Sequence, residues 1–368
     1  MNRPSAAFYR LKENQIIPTP NLLLYPELVL ENINQICQLA PSENLRPHVK
    51  TNKCAHIVQL MLEAGITKFK CATLQEARML ASLAVEDILI AFPIVGDQLN
   101  GLVDLQKEFP RSSIKIIVDS ADGANQLQAI SESNNLYQQI FIDINLGMNR
   151  TGVVIDQIDS LMEHIYLLRN IEIVGLHGYD GHIREESFQE REEQVKPGFD
   201  LLLEKVKFLE KQFNLSLKLV FGGTNTFPIY RQYPFVECSP GTFTLWDWGY
   251  HTTLPEQTFQ LAAMLVCRVV SKPNNDLLCL DLGYKAIASE NPIDKRLQFL
   301  DKDNWIVFSQ SEEHLVVQVP NAEWRDSKIG DLVYVIPYHI CPTVAIYPNF
   351  HVVDNGLLTG QWKIISRY

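Results

Sequence analysis

Polar and glycine-rich clusters follow several short apolar runs of this chain, each at the point where a run ends. The clusters are Arg46–Lys53, Asp143–Gly152, His177–His182 and Gly222–Thr226, with Ser239–Thr242 soon after. They contain a lysine at position 50, an arginine at 150, imidazoles, hydroxyls and paired glycines. If the runs are parallel strands of one barrel, their ends meet at one face, and this face is where the chemistry is expected.

The residue types indicate what that chemistry is. Glycines with hydroxyls after a strand form a loop whose backbone N–H groups can cradle a phosphate. A lysine that projects into a barrel mouth can form a Schiff base with an aldehyde cofactor. A phosphate cradle opposite Lys50 therefore suggests pyridoxal phosphate, whose phosphate anchors the molecule and whose aldehyde reacts.

The spacing of apolar residues predicts the scaffold. From residue 21 to about 245, β-rich runs alternate with stretches of helical spacing, as the crossovers between parallel strands require. We predict an α/β fold in which a (β/α)8 TIM-type barrel spans 21–245. No G-x-G-x-x-G follows the first strand, which argues against a dinucleotide-binding sheet. The eight predicted strands are Asn21–Tyr25, Leu45–Thr51, Lys68–Thr73, Asp87–Ile94, Ser113–Ser120, Gln139–Asn145, Glu172–Tyr179 and Leu217–Gly222.

After residue 245 the pattern changes to strand-like runs separated by turns, with almost no helical periodicity. This predicts a mostly antiparallel β domain over 246–368, which residues 1–20 are expected to join. Within its run Pro337-Tyr-His-Ile-Cys-Pro-Thr, His339 and Cys341 stand two positions apart. In a strand such side chains point to the same face and can bind one ion together. Imidazole plus thiolate favours Zn²⁺, with the open positions left to water or substrate.

Four motifs resemble the fold-type III pyridoxal-phosphate enzymes, and more narrowly the D-threonine aldolase and D-serine dehydratase family, whose barrel is related to that of alanine racemase. The motifs are Arg-Pro-His-Val-Lys-Thr, Gly-Met-Asn-Arg-Thr-Gly-Val, Leu-His-Gly-Tyr-Asp-Gly-His and Gly-Gly-Thr-Asn-Thr. The resemblance implies that Lys50 binds the cofactor, with Arg150 near its phenolic oxygen. It also implies that His177 lies close to the cofactor ring and Tyr179 near its pyridine nitrogen. The phosphate contacts that it implies are Gly223, Thr224, Gly241 and Thr242.

The resemblance also bears on the reaction. His339-x-Cys341 matches D-serine dehydratases, whereas D-threonine aldolases of the best-known kind hold His-x-Asp and use harder divalent ions. Asn52 stands where the family usually has His, so no role is carried over to it. We predict a lyase that acts on D-3-hydroxy amino acids, with Lys50, His339 and Cys341 as its catalytic residues and a 2-oxo acid and ammonia as products. The alternatives are retro-aldol cleavage to glycine and an aldehyde, an amino-acid racemase, and a non-catalytic pyridoxal-phosphate-binding protein.

Simpler explanations exist for each residue. A lysine at a strand end is usually solvated, Gly222-Gly223 can be only a tight turn, Arg150 can pair with a surface carboxylate, and a buried cysteine is commonly a small hydrophobe. The composition adds exclusions. A net charge of −11 disfavours nucleic acid as a partner, and no apolar run long enough to span a membrane exists. Seven scattered cysteines without a C-x-x-C pair are typical of a cytoplasmic protein. The family resemblance implies a homodimer.

Overall fold

The computed structural model describes residues 5–367, which form helices and two β-sheets. The strands are β1 Asn21–Leu24, β2 Lys68–Cys71, β3 Asp87–Ile90, β4 Ser113–Val118, β5 Gln138–Ile144, β6 Ile171–Gly178, β7 Lys218–Phe221, β8 Val236–Cys238, β9 Ala263–Asn274, β10 Leu277–Leu280, β11 Leu297–Phe299, β12 Ile306–Gln310, β13 Leu315–Gln318, β14 Leu332–Pro337, β15 Asn349–Asp354 and β16 Leu357–Lys363. The helices are α1 Pro26–Leu39, α2 Ala55–Glu63, α3 Leu74–Ser82, α4 Gln98–Glu108, α5 Ala121–Ser133, α6 Ile158–Tyr166, α7 Phe188–Phe213, α8 Phe227–Tyr230, α9 Trp248–Thr253, α10 Asn321–Asp326 and α11 Ile340–Val344. None of the helices between residues 5 and 367 is long and apolar enough to cross a membrane.

The chain divides into two compact units. One unit comprises the residues up to Gln35, the short segment Thr51–Ile57 and the long segment Thr242–Ser366. The other unit comprises Ile36–Lys50 and Val58–Gly241. The chain therefore enters the first unit again at Thr51, directly after the lysine of interest.

The second unit is built on a parallel sheet of seven strands in the order β2 to β8. Helices connect most successive strands, which is the crossover arrangement that parallel pairing requires. The strands are buried along most of their length because helices cover the outer face, which explains their nearly continuous apolar sequence. Inside the sheet, residues of four strands pack together as Leu89, Ile117, Phe141 and Val220.

The segment before Lys50 lies between the two edges of this sheet. It makes isolated parallel bridges, from Leu45 to Cys238 of β8 and from His48 to Lys70 of β2. Backbone bonds of 2.8 Å from Arg46 N to Cys238 O and 2.9 Å from Val49 N to Lys70 O accompany them. The segment predicted as the strand Leu45–Thr51 thus contributes bridges to both edges rather than a strand.

Two further strand assignments differ from the sequence-based prediction. The predicted barrel strand at Asn21–Tyr25 is wrong for this sheet, because β1 pairs antiparallel with β9 and parallel with β15 in the other sheet. The strand β8, Val236–Cys238, was not predicted because its three residues give no periodicity. An apolar run of four or five residues looks the same in either sheet, so the sequence could not assign β1 to one of them.

The first unit contains a nine-stranded mixed sheet. Its main path runs β12-β13-β10-β9-β1-β15-β16, and β14 pairs with β9 and β11. Every pair is antiparallel except β1 with β15, which agrees with the predicted mostly antiparallel domain. The apolar run Thr343–Tyr347 also predicts a strand of this domain, and that prediction is wrong: the stretch contains the end of helix α11 and a turn.

Candidate active site

The ring of Tyr179 is surrounded by cationic side chains at the carboxyl ends of the parallel strands. Tyr179 follows β6, and Arg150 lies in the loop after β5. The Lys50 Nζ atom lies 5.5 Å from the centroid of this ring, and the Arg150 guanidinium carbon lies 5.4 Å from it. Three residues that the sequence analysis selected are therefore close together. Their positive charge suits an anionic ligand.

The glycine-rich loop after β7 contacts the same tyrosine. Gly222 has a φ of +69°, a conformation that favours glycine. At Gly223, a Cβ would lie 2.6 Å from Cε2 of the Tyr179 ring, so this position has no room for a side chain. The backbone N–H of Gly241 donates to Thr224 Oγ1 at 3.3 Å. The phosphate of pyridoxal phosphate fits such a loop, whose bare backbone a ligand can approach closely.

His177 belongs to a buried chain of hydrogen bonds that the sequence analysis did not find. Its Nδ1 lies 2.7 Å from Asp143 Oδ1, and its Nε2 lies 3.4 Å from the Nζ atom of Lys70. Lys70 also donates to Ser239 Oγ. Burial, followed by the nearby Lys70 charge, lowers the pKa of His177 although Asp143 opposes the shift. Burial and the Lys50 charge lower the pKa of Lys70 to about 7.

A signal for Lys70 was present in the sequence. It is the third residue of the strand β2, which reads Lys-Phe-Lys-Cys and in which Phe69, Lys70 and Cys71 are buried. A lysine in the middle of a short strand, rather than at its end, is rarely fully buried without a partner. Because the candidate residues were predicted from the ends of strands alone, Lys70 was not among them.

His339 and Cys341 lie together in the other unit, but for a reason different from the predicted one. The strand β14 ends at Pro337, and both residues belong to the start of helix α11, so the argument from a shared strand face is wrong. Their side chains are nevertheless hydrogen-bonded. His339 Nδ1 is also paired with Glu290 Oε1. Burial lowers the pKa of His339, but the bond to Cys341 and the nearby carboxylates outweigh it and raise this pKa to about 9.

The residues around this pair suit a zinc ion in part. A ligating histidine usually donates its second ring N–H to a carboxylate, which is the place that Glu290 takes. Thr51 Oγ1 lies 3.2 Å from Cys341 Sγ, and Thr242 Oγ1 lies 3.7 Å from the same sulfur. Within residues 5–367 no group of three or more His, Cys, Asp and Glu side chains is arranged to hold a metal. This unit therefore offers an imidazole and a thiolate, and further ligands would have to be water or substrate.

Asp247 supports the candidate metal-ligand pair, and no motif in the sequence pointed to it. Its buried carboxylate accepts the backbone N–H of Tyr250 at 2.9 Å and that of Ile340 at 3.0 Å. Burial raises the pKa of Asp247 to about 6 against these hydrogen bonds. Asn52, which replaces the usual family histidine, is buried in the same unit. Its Oδ1 accepts the Cys54 N–H at 3.2 Å, a local structural bond.

Comparison with known proteins now identifies the family. The pattern described as "Alanine racemase, N-terminal domain" matches residues 27–220, and the one described as "Putative serine dehydratase domain" matches residues 262–353. The chain belongs to the alanine racemase N-terminal domain family. This places the parallel sheet with its helices in the alanine racemase fold.

Relatives that match nearly the full length divide between two reactions. The chain is 23% identical to a D-threonine aldolase from an Arthrobacter species, in an alignment that covers 95% of this chain and 93% of that protein. It is 22% identical to a D-serine dehydratase from Dictyostelium discoideum, in an alignment that covers 92% of this chain and 93% of that protein. The solved structure of a D-threonine aldolase from Filomicrobium marinum has a TM-score of 0.86 at 22% identity, and the match covers 95% of each chain.

These matches confirm the resemblance drawn from the four motifs. They agree with the prediction of a pyridoxal-phosphate-dependent lyase that also uses a divalent metal. They do not separate dehydration from aldol cleavage, because both reactions occur among the relatives.

Proposed function

We propose that this chain is a lyase of D-3-hydroxy amino acids that uses pyridoxal 5'-phosphate and a divalent metal, and that its reaction is dehydration to a 2-oxo acid and ammonia. The observation that carries the proposal is the arrangement around Tyr179. A lysine and an arginine lie within 5.5 Å of its ring centroid, and Gly223 of the glycine-rich loop contacts its edge. A reactive amine beside an anion-binding loop suits an aldehyde cofactor that carries a phosphate.

When bound, pyridoxal phosphate supplies an electron sink for the bond that breaks at the α-carbon. Lys50 is the amine that binds the cofactor aldehyde, and its Nζ takes the α-proton as general base. Arg150, His177 and Tyr179 would orient the cofactor ring. The phosphate would be held by Gly223, Thr224, Gly241 and Thr242.

The dehydration branch rests on the donor set of the second unit. His339 and Cys341 would hold a zinc ion, which would supply a Lewis acid for the loss of a hydroxyl group. The hydrogen bond between their side chains and the carboxylate of Glu290 at His339 Nδ1 support this assignment. A thiolate favours zinc over the harder ions that carboxylate ligands select.

Product analysis tests the proposal. We expect D-serine to give pyruvate and ammonia, and D-threonine to give 2-oxobutanoate and ammonia. We expect Lys50→Ala to lose activity by at least about 10³-fold, because the nucleophile and the base are the same atom. We expect strong chelators to abolish turnover and zinc to restore it. Glycine and acetaldehyde from D-threonine, with no 2-oxo acid, would overturn the dehydratase assignment.

Aldol cleavage is the second candidate, favoured by the full-length similarity to D-threonine aldolase. The two reactions differ in what the metal does to the hydroxyl: in cleavage the hydroxyl loses a proton, and in dehydration it leaves. The variant Cys341→Asp tests this difference, because it replaces a soft ligand with a hard one. We expect it to lose dehydration with zinc. The matched control Cys279→Ser changes a half-buried thiol on β10 and should leave both reactions unchanged.

We also propose that the parallel strands form a closed barrel. Closure of the parallel strands into a (β/α)8 barrel is supported by the bonds that the segment before Lys50 makes to both sheet edges. We further propose that residues 21–245 bind the cofactor and that residues 246–368 bind the metal. The protein is proposed to be a cytoplasmic homodimer.

A further inference from the structure

A second buried lysine lies beside the candidate cofactor site. Lys70 is 2% exposed, and its Nζ lies 6.0 Å from the Tyr179 ring centroid, the same ring that Lys50 faces. It donates to the Nε2 atom of His177 at 3.4 Å and to Ser239 Oγ. The role of Lys50 leaves this second amine without an assigned part in the reaction.

The hydrogen bonds fix the direction of donation along this chain of groups. The Asp143 carboxylate can only accept, so His177 Nδ1, at 2.7 Å from it, carries the proton and donates. A neutral ring with its proton on Nδ1 has a lone pair on Nε2, which accepts an N–H of Lys70. An imidazole that carries one proton can therefore form a hydrogen bond at each ring nitrogen, to Asp143 at Nδ1 and to Lys70 at Nε2.

We propose that Lys70 is a positioning residue that holds His177 as a neutral imidazole with its proton on Nδ1. Without the lysine, a histidine beside the carboxylate of Asp143 would take a second proton and form an ion pair. With it, the Nε2 lone pair accepts an N–H of Lys70, and a second proton on the ring is disfavoured. The importance of this state for catalysis rests on the proposed function, whereas the state itself is a property of the protein without cofactor.

The charged groups around Lys70 and His177 also favour a neutral His177 ring. Lys70 has a pKa of about 7, lowered by burial and by Lys50, and it keeps an N–H to donate in either protonation state. Burial and Lys70 together lower the pKa of His177 more than Asp143 raises it. The other charged groups that act on this pair are Arg46 and Asp180 at Lys70 and Arg150 at His177.

Nuclear magnetic resonance of the full-length protein with ring-¹⁵N-labelled histidine tests the proposal, with His177→Phe used to assign the signals. In the wild-type protein, with and without pyridoxal phosphate, we expect His177 to carry a proton on Nδ1 only, from pH 6 to pH 9. In Lys70→Met, we expect its pKa to rise by about 1 to 3 units, because Lys70 no longer opposes the effect of Asp143. Lys70→Arg keeps the charge and the donor and should restore the neutral ring.

The control is Lys115→Met, which removes another buried lysine of the parallel sheet whose partners are Asp87 and Ser113. It should leave the His177 signals unchanged. An unchanged His177 pKa in folded Lys70→Met would overturn the proposal. Should that variant not fold, the wild-type spectrum decides alone: an unprotonated Nε2 at pH 6 supports the proposal, and a proton on Nε2 contradicts it. A neutral His177 in a protein that turns over no D-amino acid would contradict the proposed function only.

Discussion

A single glycine determines where the tyrosine of the candidate site can lie. A Cβ at position 223 would lie 2.6 Å from Cε2 and 3.1 Å from Cδ2 of Tyr179, both within the same aromatic ring. The ring is rigid, so it can avoid this clash only by turning or moving as a whole. Since Lys50 and Arg150 lie 5.5 Å and 5.4 Å from its centroid, such a movement changes the surroundings of both.

Gly223→Ala should therefore weaken the site without unfolding the protein. A displacement of about 1 Å in a binding site can cost about 100-fold in catalytic efficiency. We expect a loss of this order in kcat/KM on D-serine and a parallel rise in the Kd for pyridoxal phosphate, measured by absorbance titration. Gly198→Ala is the control, because this glycine lies within helix α7 with nothing within 4 Å of the added methyl group. Equal Kd values for the two variants would contradict the argument.

The grouping of residues around Tyr179 could be predicted from the sequence, but the residues behind them could not. Lys50, Arg150 and Tyr179 each lie at the end of a predicted strand or in the loop after it, and the carboxyl ends of parallel strands meet at one edge. Lys70 lies within a strand and reaches His177 with its long side chain. Which lysine of a strand turns inward depends on strand register, and a one-residue shift reverses it.

Among the elements, helix α11 determines the geometry of the candidate metal-ligand pair, His339 and Cys341, through the way it begins. This helix starts directly after His339, whose side chain makes no capping bond. Asp247 supplies an acceptor instead, for the N–H of Ile340, and its negative charge lies at the positive end of the helix. Pro342, in the first turn of the helix, was the sequence signal for a helix start, and the prediction of a strand overlooked it.

We expect Asp247→Asn to reduce zinc affinity by about 10- to 100-fold, the usual effect of changing a group that orients a metal ligand. An amide has one oxygen where the carboxylate has two, so the N–H of Tyr250 or Ile340 loses its acceptor. Competition with a chromophoric chelator measures the affinity. The control Ser187→Ala removes the cap of α7, which costs about 1 kcal/mol of stability, and should leave zinc affinity unchanged. A similar decrease in zinc affinity in both variants would show that reduced protein stability alone explains the effect of Asp247→Asn.

At the scale of the whole molecule, the change from helical to strand periodicity could be recognised in the sequence, but the pairing of β1 could not. β1 precedes helix α1 just as a barrel strand would, and its residues Leu22, Leu23 and Leu24 are buried. Its partners β9 and β15 lie some 240 and 325 residues further along the chain. Long-range pairing of this kind leaves no local pattern.

A network of buried charges contributes to the stability of the parallel sheet. Arg46 is fully buried and pairs with Asp87 and Glu237, each at 2.7 Å. Lys115 contacts Asp87 at 2.9 Å, and Lys68 contacts Glu237 at 2.6 Å. Burial raises the pKa of Asp87, but the Arg46 and Lys115 cations outweigh burial and hold this pKa well below its usual range. These residues come from the segment before Lys50 and from β2, β3, β4 and β8, so the network joins the two edge strands of the sheet.

Arg46→Met should therefore destabilise the protein in a pH-dependent way. Removing one partner of a buried ion pair costs about 3–5 kcal/mol, because the remaining carboxylates are left without compensation. Asp87 has a folded pKa below its unfolded value of about 3.9, so its pairing stabilises the wild-type protein at neutral pH and is lost as the pH falls through the folded pKa. Loss of Arg46 raises that folded pKa. Urea unfolding should thus show the full difference between the two proteins at pH 7 and a smaller one near pH 4.

The matched control for this prediction is Arg78→Met. Arg78 pairs with Glu108 on the surface, where both side chains are 40% exposed or more. A solvated pair of this kind contributes about 0–1 kcal/mol, so we expect a small loss of stability with little change between pH 7 and pH 4. A constant difference across this pH range for Arg46→Met would mean that the guanidinium stabilises the sheet by packing rather than by charge. Because Arg46 lies four residues before Lys50, a pH-dependent loss would also mean that the charges that stabilise the sheet hold in place the segment that carries the candidate cofactor-binding lysine.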